Sequence, residues 1–229
     1  MGEMVRISAS DGSGAFSAYA AGPADAKAGI VLIQEIFGVN AGMRAMADAW
    51  GALGYRCLCP DLFWRIEPGL ELDPDVEAEF AKALATYQKL DVDKAVEDIA
   101  ATIATLRAGG AAKVGAVGYC LGGLLAYLTA TRTDVDASVG YYGVTIDQRL
   151  TESTNIRAPL LLHNALKDGF VPPDAQAKVR EGLASNTLVT IHDYDADHGF
   201  ARHSGSKRVP SQADVADART RDFFARHLA

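Results

Sequence analysis

Three short stretches of unbroken apolar residues constrain this fold more than any other feature: Gly29-Ile30-Val31-Leu32-Ile33, Lys113-Val114-Gly115-Ala116-Val117-Gly118 and Pro159-Leu160-Leu161-Leu162-His163. Continuous rather than alternating apolarity belongs to strands covered on both faces, as in a parallel sheet between helices. Weaker strand patterns at 5–8, 16–20, 56–59, 137–141 and 188–194 bring the total to about eight. Between them lie helical stretches at 41–53, 76–89, 92–107, 121–131, 174–184 and 214–227. Gly54 and Gly109-Gly110 stop two of these, and Pro172-Pro173 starts another. Strands alternating with helices give an α/β fold with a mainly parallel, doubly wound sheet. In such sheets the chemistry belongs in loops at the carboxyl ends of the strands.

The chain of 229 residues is 49% hydrophobic and 22% charged, enough to bury one sizeable core, and its prolines and glycines are spread out with no linker. A single domain over 1–229 is expected. The net charge of -7 offers no basic stripe, which argues against nucleic acid as a partner. The start, Met1-Gly2-Glu3-Met4-Val5-Arg6, has no apolar core of a signal peptide, and no later run approaches the ~20 residues that span a bilayer. A soluble cytoplasmic protein without a membrane partner is expected. Of three cysteines, Cys57 and Cys59 lie two apart on one strand and read as small core residues. No C-x-x-C pair, ligand cluster or G-x-G-x-x-G implies a metal or organic cofactor. Asp193-Tyr194-Asp195-Ala196-Asp197 lacks the glycine and glutamate of a calcium loop.

Cys120 stands apart. Gly118-Tyr119-Cys120-Leu121-Gly122-Gly123 sits between the strand at 114–117 and an apolar helix, which is the setting of a G-x-nucleophile-x-G turn with Cys in the serine place. A side chain at Gly118 or Gly122 would collide with neighbouring backbone, and the helix starting at Leu121 favours a thiolate at Cys120. In the α/β-hydrolase fold the nucleophile is followed by an acid and then a histidine. His198, just past the last strand, is the candidate base; His163 reads as a satisfied core residue, His192 as a strand residue, and His203 and His227 as surface. Asp168, on the loop after the preceding strand, is the candidate acid, in preference to the loop carboxylates Asp193, Asp195 and Asp197. The backbone N–H groups of Leu121 and Ile36 are the expected oxyanion donors, and Glu35 is placed to control the thiol proton.

Glu35-Ile36-Phe37-Gly38-Val39-Asn40, Cys59-Pro60-Asp61-Leu62, the Cys120 turn, Gly140-Tyr141-Tyr142-Gly143 and Phe200-Ala201-Arg202 together resemble the dienelactone hydrolase family over nearly the whole chain. The resemblance implies an α/β-hydrolase with a triad of Cys120, His198 and Asp168, opening small lactones such as dienelactone to maleylacetate. It implies that Glu35 holds the resting thiol protonated and accepts its proton when substrate arrives, and that Arg202 binds a substrate carboxylate, a task suited to a planar guanidinium. The sequence departs from the family twice. After Leu72-Asp73-Pro74 no second arginine follows, leaving Lys82 as the substitute, and Asn164-Ala165-Leu166-Lys167 stands where the family more often has glycines. The expected partner is a small lactone or ester and the expected state a monomer or small homo-oligomer. The alternatives are a broad carboxylesterase of the same fold or a redox-sensing thiol.

Overall fold

The computed structural model describes residues 2–203 and 205–229. Contacts divide the chain into two compact units, Met1–Val114 and Gly115–Ala229. In the first, β1 (Glu3–Ser8), β2 (Ala15–Ala21), β3 (Ala28–Ile33) and β4 (Arg56–Pro60) are joined by the helices α1 (Ala41–Ala52), α2 (Glu77–Tyr87) and α3 (Val92–Ala108). The strands lie in the order β1-β2-β4-β3, with β3 and β4 parallel and the pairs β1-β2 and β2-β4 antiparallel. Ile30 to Ile33 are fully buried, as their unbroken apolarity requires, and so are Cys57 and Cys59. Burial raises both thiols above the ordinary range, so they stay neutral core residues.

Local signals set the ends of these helices. Asn40 caps α1 by accepting from the Met43 N–H at 3.1 Å, and its amide donates to the Leu72 carbonyl at 2.9 Å. Asp91 caps α3 by accepting from Asp93 and Lys94. Gly54 and Gly110 follow α1 and α3 with φ of 92° and 102°, where a side chain would be strained. Gln34 and Asp61, both buried, hold the loops beyond β3 and β4: Gln34 accepts from the Leu62 N–H, and Asp61 from Phe63 and Gly69.

The second unit carries β5 (Lys113–Tyr119) from Gly115 onward, α4 (Leu121–Arg132), β6 (Ala137–Tyr141), β7 (Leu160–Ala165), α5 (Pro173–Leu183), β8 (Val189–Tyr194) and α6 (Pro210–His227). Its strands run parallel in the order β5-β6-β7-β8. Ser138 and Tyr141, three apart on β6, point to opposite faces. The Ser138 hydroxyl donates to the Ala126 carbonyl of α4, while the Tyr141 hydroxyl meets Thr220 and Asp217 of α6. The two helices therefore cover opposite faces of β6, which is why its residues are buried throughout. Two 3₁₀ turns, Ile146–Gln148 and Leu150–Asn155, follow β6 and lack the periodicity that would reveal them in the sequence.

Among the described residues no helix is long and apolar enough to cross a membrane. His227 is half-buried rather than fully exposed, because its ring meets Phe223 at 4.6 Å in a T-shaped contact. Phe224, fully buried, occupies the space left open by Gly115 on β5. Phe224→Ala is expected to lower the free energy of unfolding by about 3–5 kcal/mol, read from urea denaturation followed by circular dichroism.

Candidate active site

Parallel β5 and β6 end together, and the chain leaves β5 through a turn of unusual conformation. Cys120 has φ 58° and ψ -115°, a region that a residue with a side chain enters only when its surroundings compel it. Those surroundings are backbone. The Cys120 N–H donates to the Tyr141 carbonyl at 3.0 Å, and its own carbonyl accepts from Gly123 and Leu124 to open α4. A Cβ on Gly118 would overlap the Gly122 carbonyl, and one on Gly123 would lie 2.5 Å from the Tyr141 carbonyl oxygen. The glycines let the end of β6 and the first turn of α4 approach at van der Waals distance. Gly143, whose added Cβ would come 2.8 Å from the Gly123 carbonyl carbon, completes the contact and accounts for the glycines of Gly140-Tyr141-Tyr142-Gly143.

The turn puts the sulfur of Cys120 at the start of α4, beside the N–H of Leu121, with 8% of the residue exposed. The Cys120 side chain is hydrogen-bonded to His198. The other side of the His198 ring is held by Asp168, with Nδ1 2.7 Å from Oδ2. Both partners are buried, at 7% and 5% exposure. The remaining oxygen of Asp168 accepts from the N–H groups of Phe170 and Val171 at 2.8 and 3.3 Å. Both carboxylate oxygens are thus committed, which fixes its plane and the imidazole with it.

The electrostatics of the row follow from its burial. Desolvation pulls the His198 pKa down, but a charged Cys120 sulfur and the hydrogen bond to Asp168 outweigh it and push the value up to about 10. Around neutral pH, His198 therefore holds a proton. His163, fully buried on β7, behaves in the opposite way: desolvation and the nearby His192 and Arg219 lower its pKa, and it stays neutral. Its nitrogens meet the Tyr194 hydroxyl at 2.8 Å and the Thr220 hydroxyl at 2.9 Å, so it is the satisfied core histidine that its strand position implies.

The loop bearing Asp168 is held from two sides. The N–H groups of Leu166 and Lys167 donate to the Tyr194 and Ala196 carbonyls, continuing the pairing of β7 with β8 for two residues. Gln176, buried on α5, donates its amide to the Ala165 and Val171 carbonyls at 3.0 and 2.8 Å. The other loop carboxylates have surface tasks: Asp193 pairs with Arg180, Asp195 with Lys167, and Asp197 with Lys207 and the His198 N–H.

The half-buried Arg202 lies over Gly199, the residue after His198: a Cβ there would be 3.3 Å from its Nη2. In the first unit, Glu35 is buried on the loop after β3, with its carbonyl accepting from Gln34 at 3.3 Å, and Ile36 is buried beside it. Lys82 is exposed on α2 and pairs with Glu67 at 2.7 Å. Sequence reasoning did not anticipate Gln176, nor the two aromatic rings on His198. Tyr142, with φ 38°, and Phe170 both make T-shaped contacts with its imidazole at 4.9 Å. The proximity of Phe170 to Asp168 in sequence was the available signal.

Comparison with known proteins now places the chain. Residues 16–228 match the model of the dienelactone hydrolase family. The chain belongs to that family. It is 41% identical over 229 residues to the carboxymethylenebutenolidase of Pseudomonas putida, covering 97% of this chain and 96% of that one. It is 37% identical over 215 residues to carboxymethylenebutenolidase 1 of Cupriavidus pinatubonensis, covering 93% and 92%. The crystal structure of dienelactone hydrolase from Anabaena variabilis superposes with a TM-score of 0.71 at 19% identity, covering 100% of this chain and 99% of that one, which shows a shared fold. The fold is the α/β-hydrolase fold, and family membership makes the chain a hydrolase acting on esters or lactones.

The charge relation at His198 has a direct readout. In the unsubstituted protein the His198 imidazolium is expected to persist to about pH 10. In Cys120→Ala the sulfur charge is gone while burial remains, so the proton is expected to leave at lower pH, followed by NMR titration of the histidine ring carbons.

Proposed function

We propose that this protein opens small carboxylated lactones by attack of the Cys120 sulfur, through a thioester that His198 and Asp168 help to hydrolyse. One observation carries the reading: a cysteine in a positive-φ turn is hydrogen-bonded to a histidine whose other nitrogen is held by a buried aspartate. The Pseudomonas and Cupriavidus relatives are named carboxymethylenebutenolidases, which agrees with it.

The chemistry follows from the charges. The thiolate form of Cys120, with the His198 imidazolium beside it, attacks the lactone carbonyl carbon. Negative charge gathers on the carbonyl oxygen, and the Leu121 N–H at the start of α4 points to where it develops; one such donor is worth about 3 kcal/mol. The ring C–O bond breaks, and the leaving oxygen takes the proton from His198. The sulfur is now bonded to carbon and carries no charge. Having given its proton to the leaving oxygen, His198 is neutral and serves as the base the second half-reaction needs. It removes a proton from water as the water oxygen bonds to the thioester carbon. The C–S bond then breaks, and thiolate and imidazolium are restored. Asp168 keeps the proton-bearing nitrogen in one orientation throughout.

Arg202, beside His198 over Gly199, supplies a guanidinium for a substrate carboxylate. A second reading, a carboxylesterase of wider range, is favoured by Lys82, whose ammonium is already paired with Glu67.

The test is hydrolysis of a dienelactone beside a neutral aryl ester. Cys120→Ala is expected to lower kcat/KM on both by about 10⁴-fold or more. Arg202→Ala is expected to raise KM for the carboxylated lactone by roughly ten- to a hundredfold and leave that for the neutral ester unchanged, since a hydrogen bond to a charged group contributes about 1.5–3 kcal/mol. Turnover of the neutral ester alone would select the wider esterase, and full activity of Cys120→Ala would overturn the nucleophile.

A further inference from the structure

Two aromatic rings meet the His198 imidazole at 4.9 Å, and they differ in exposure: Tyr142 is buried, whereas Phe170 is 56% exposed. An aromatic side chain has 150–250 Å² to bury, by general accounting, and leaving half of it in solvent forgoes stability that burial would supply. The exposure is not a loose end. The Phe170 N–H donates to Asp168 Oδ1 at 2.8 Å, and the next N–H, of Val171, donates to the same oxygen. The carbonyl of Val171 accepts from the buried Gln176. The backbone that presents the ring is therefore tied to the carboxylate that orients His198, so ring and imidazole keep one relation.

We propose that Phe170 is a substrate-contacting residue that sets specificity, offering an apolar planar surface beside His198 for the flat, conjugated part of a lactone or the ring of an aryl ester. The proposal rests on the Cys120 reading above, because His198 marks the reacting centre only if that reading holds. A planar group laid on Phe170 covers apolar area on both partners and gains the offset or edge-on contact that aromatic pairs favour. A flexible saturated acyl group gains less, since it has no planar face and loses rotamer freedom on binding.

The experiment measures kcat and KM of the full chain on two neutral substrates sharing one leaving group, an aryl acyl ester and a saturated aliphatic acyl ester, for Phe170→Ala, Phe170→Leu and Phe170→Tyr. For Phe170→Ala and Phe170→Leu the expected result is a rise in KM for the aryl acyl ester of roughly five- to tenfold, with KM for the aliphatic ester within about twofold. Phe170→Tyr keeps the planar ring and is expected to restore the aryl preference. Equal KM changes on both substrates, or none, would overturn the proposal. So would a fall in kcat on both with the His198 NMR titration displaced, because the ring would then only support the imidazole. Cys120→Ala run alongside separates the two readings: if it stays fully active, the nucleophile assignment has failed, whatever the Phe170 variants do.

Discussion

The turn at Cys120 is the constraint on which the rest of the second unit is arranged. Its positive φ has an energetic cost of order 1–3 kcal/mol, and it persists because the surrounding backbone leaves no other course. The Cys120 N–H is tied to the end of β6, its carbonyl opens α4, and glycines at 118, 123 and 143 remove the side chains that would force these segments apart. The conformation puts the Cys120 side chain at a helix N-terminus, where unpaired amides favour negative charge. Strain and packing are therefore consequences of one close approach of backbone.

From that turn the charges organise the neighbouring elements. A sulfur that can become anionic calls for a cation, and His198 is placed after β8 to supply it. A buried imidazolium calls in turn for an acceptor, and Asp168 supplies that from the loop after β7. Asp168 is held by the loop's own amides, and that loop by Gln176 of α5. Each layer outward is less charged and more backbone-like. The imidazole can change protonation while its position stays fixed, because Asp168 and the rings of Tyr142 and Phe170 hold it whatever the charge on the sulfur.

Much of this was legible in the residues, and the reasons are physical. Strands β3, β5 and β7 announced themselves by unbroken apolarity, because burial on both faces leaves no solvent side to carry polar residues. Cys120 was legible because its turn requires glycines at set spacing, and His198 and Asp168 because chain order in this fold limits where their loops fall. What escaped detection depends on tertiary contact. Gln176 sits on α5 with the pattern of an ordinary amphipathic helix, and only the structure brings its amide to the Ala165 and Val171 carbonyls. Tyr142 was noticed within a glycine-flanked segment, but its contact with His198 arises because β6 ends beside that loop. The two 3₁₀ turns after β6 are mostly polar and aperiodic, and the C-terminal helix end that carries His227 gives no sign in its sequence of the Phe223 ring beneath it.

The central claim is that carbon–sulfur bonding at Cys120 divides the reaction in two. The most direct measurement mixes the protein with an activated aryl ester for milliseconds, quenches in acid, and reads the intact mass and the peptide containing Cys120 by mass spectrometry. The account predicts an added acyl mass on Cys120 that rises within the first turnover and disappears once substrate is exhausted. Turnover at the normal rate with no acyl mass on Cys120 at any time, or with the acyl group on another residue, would contradict it.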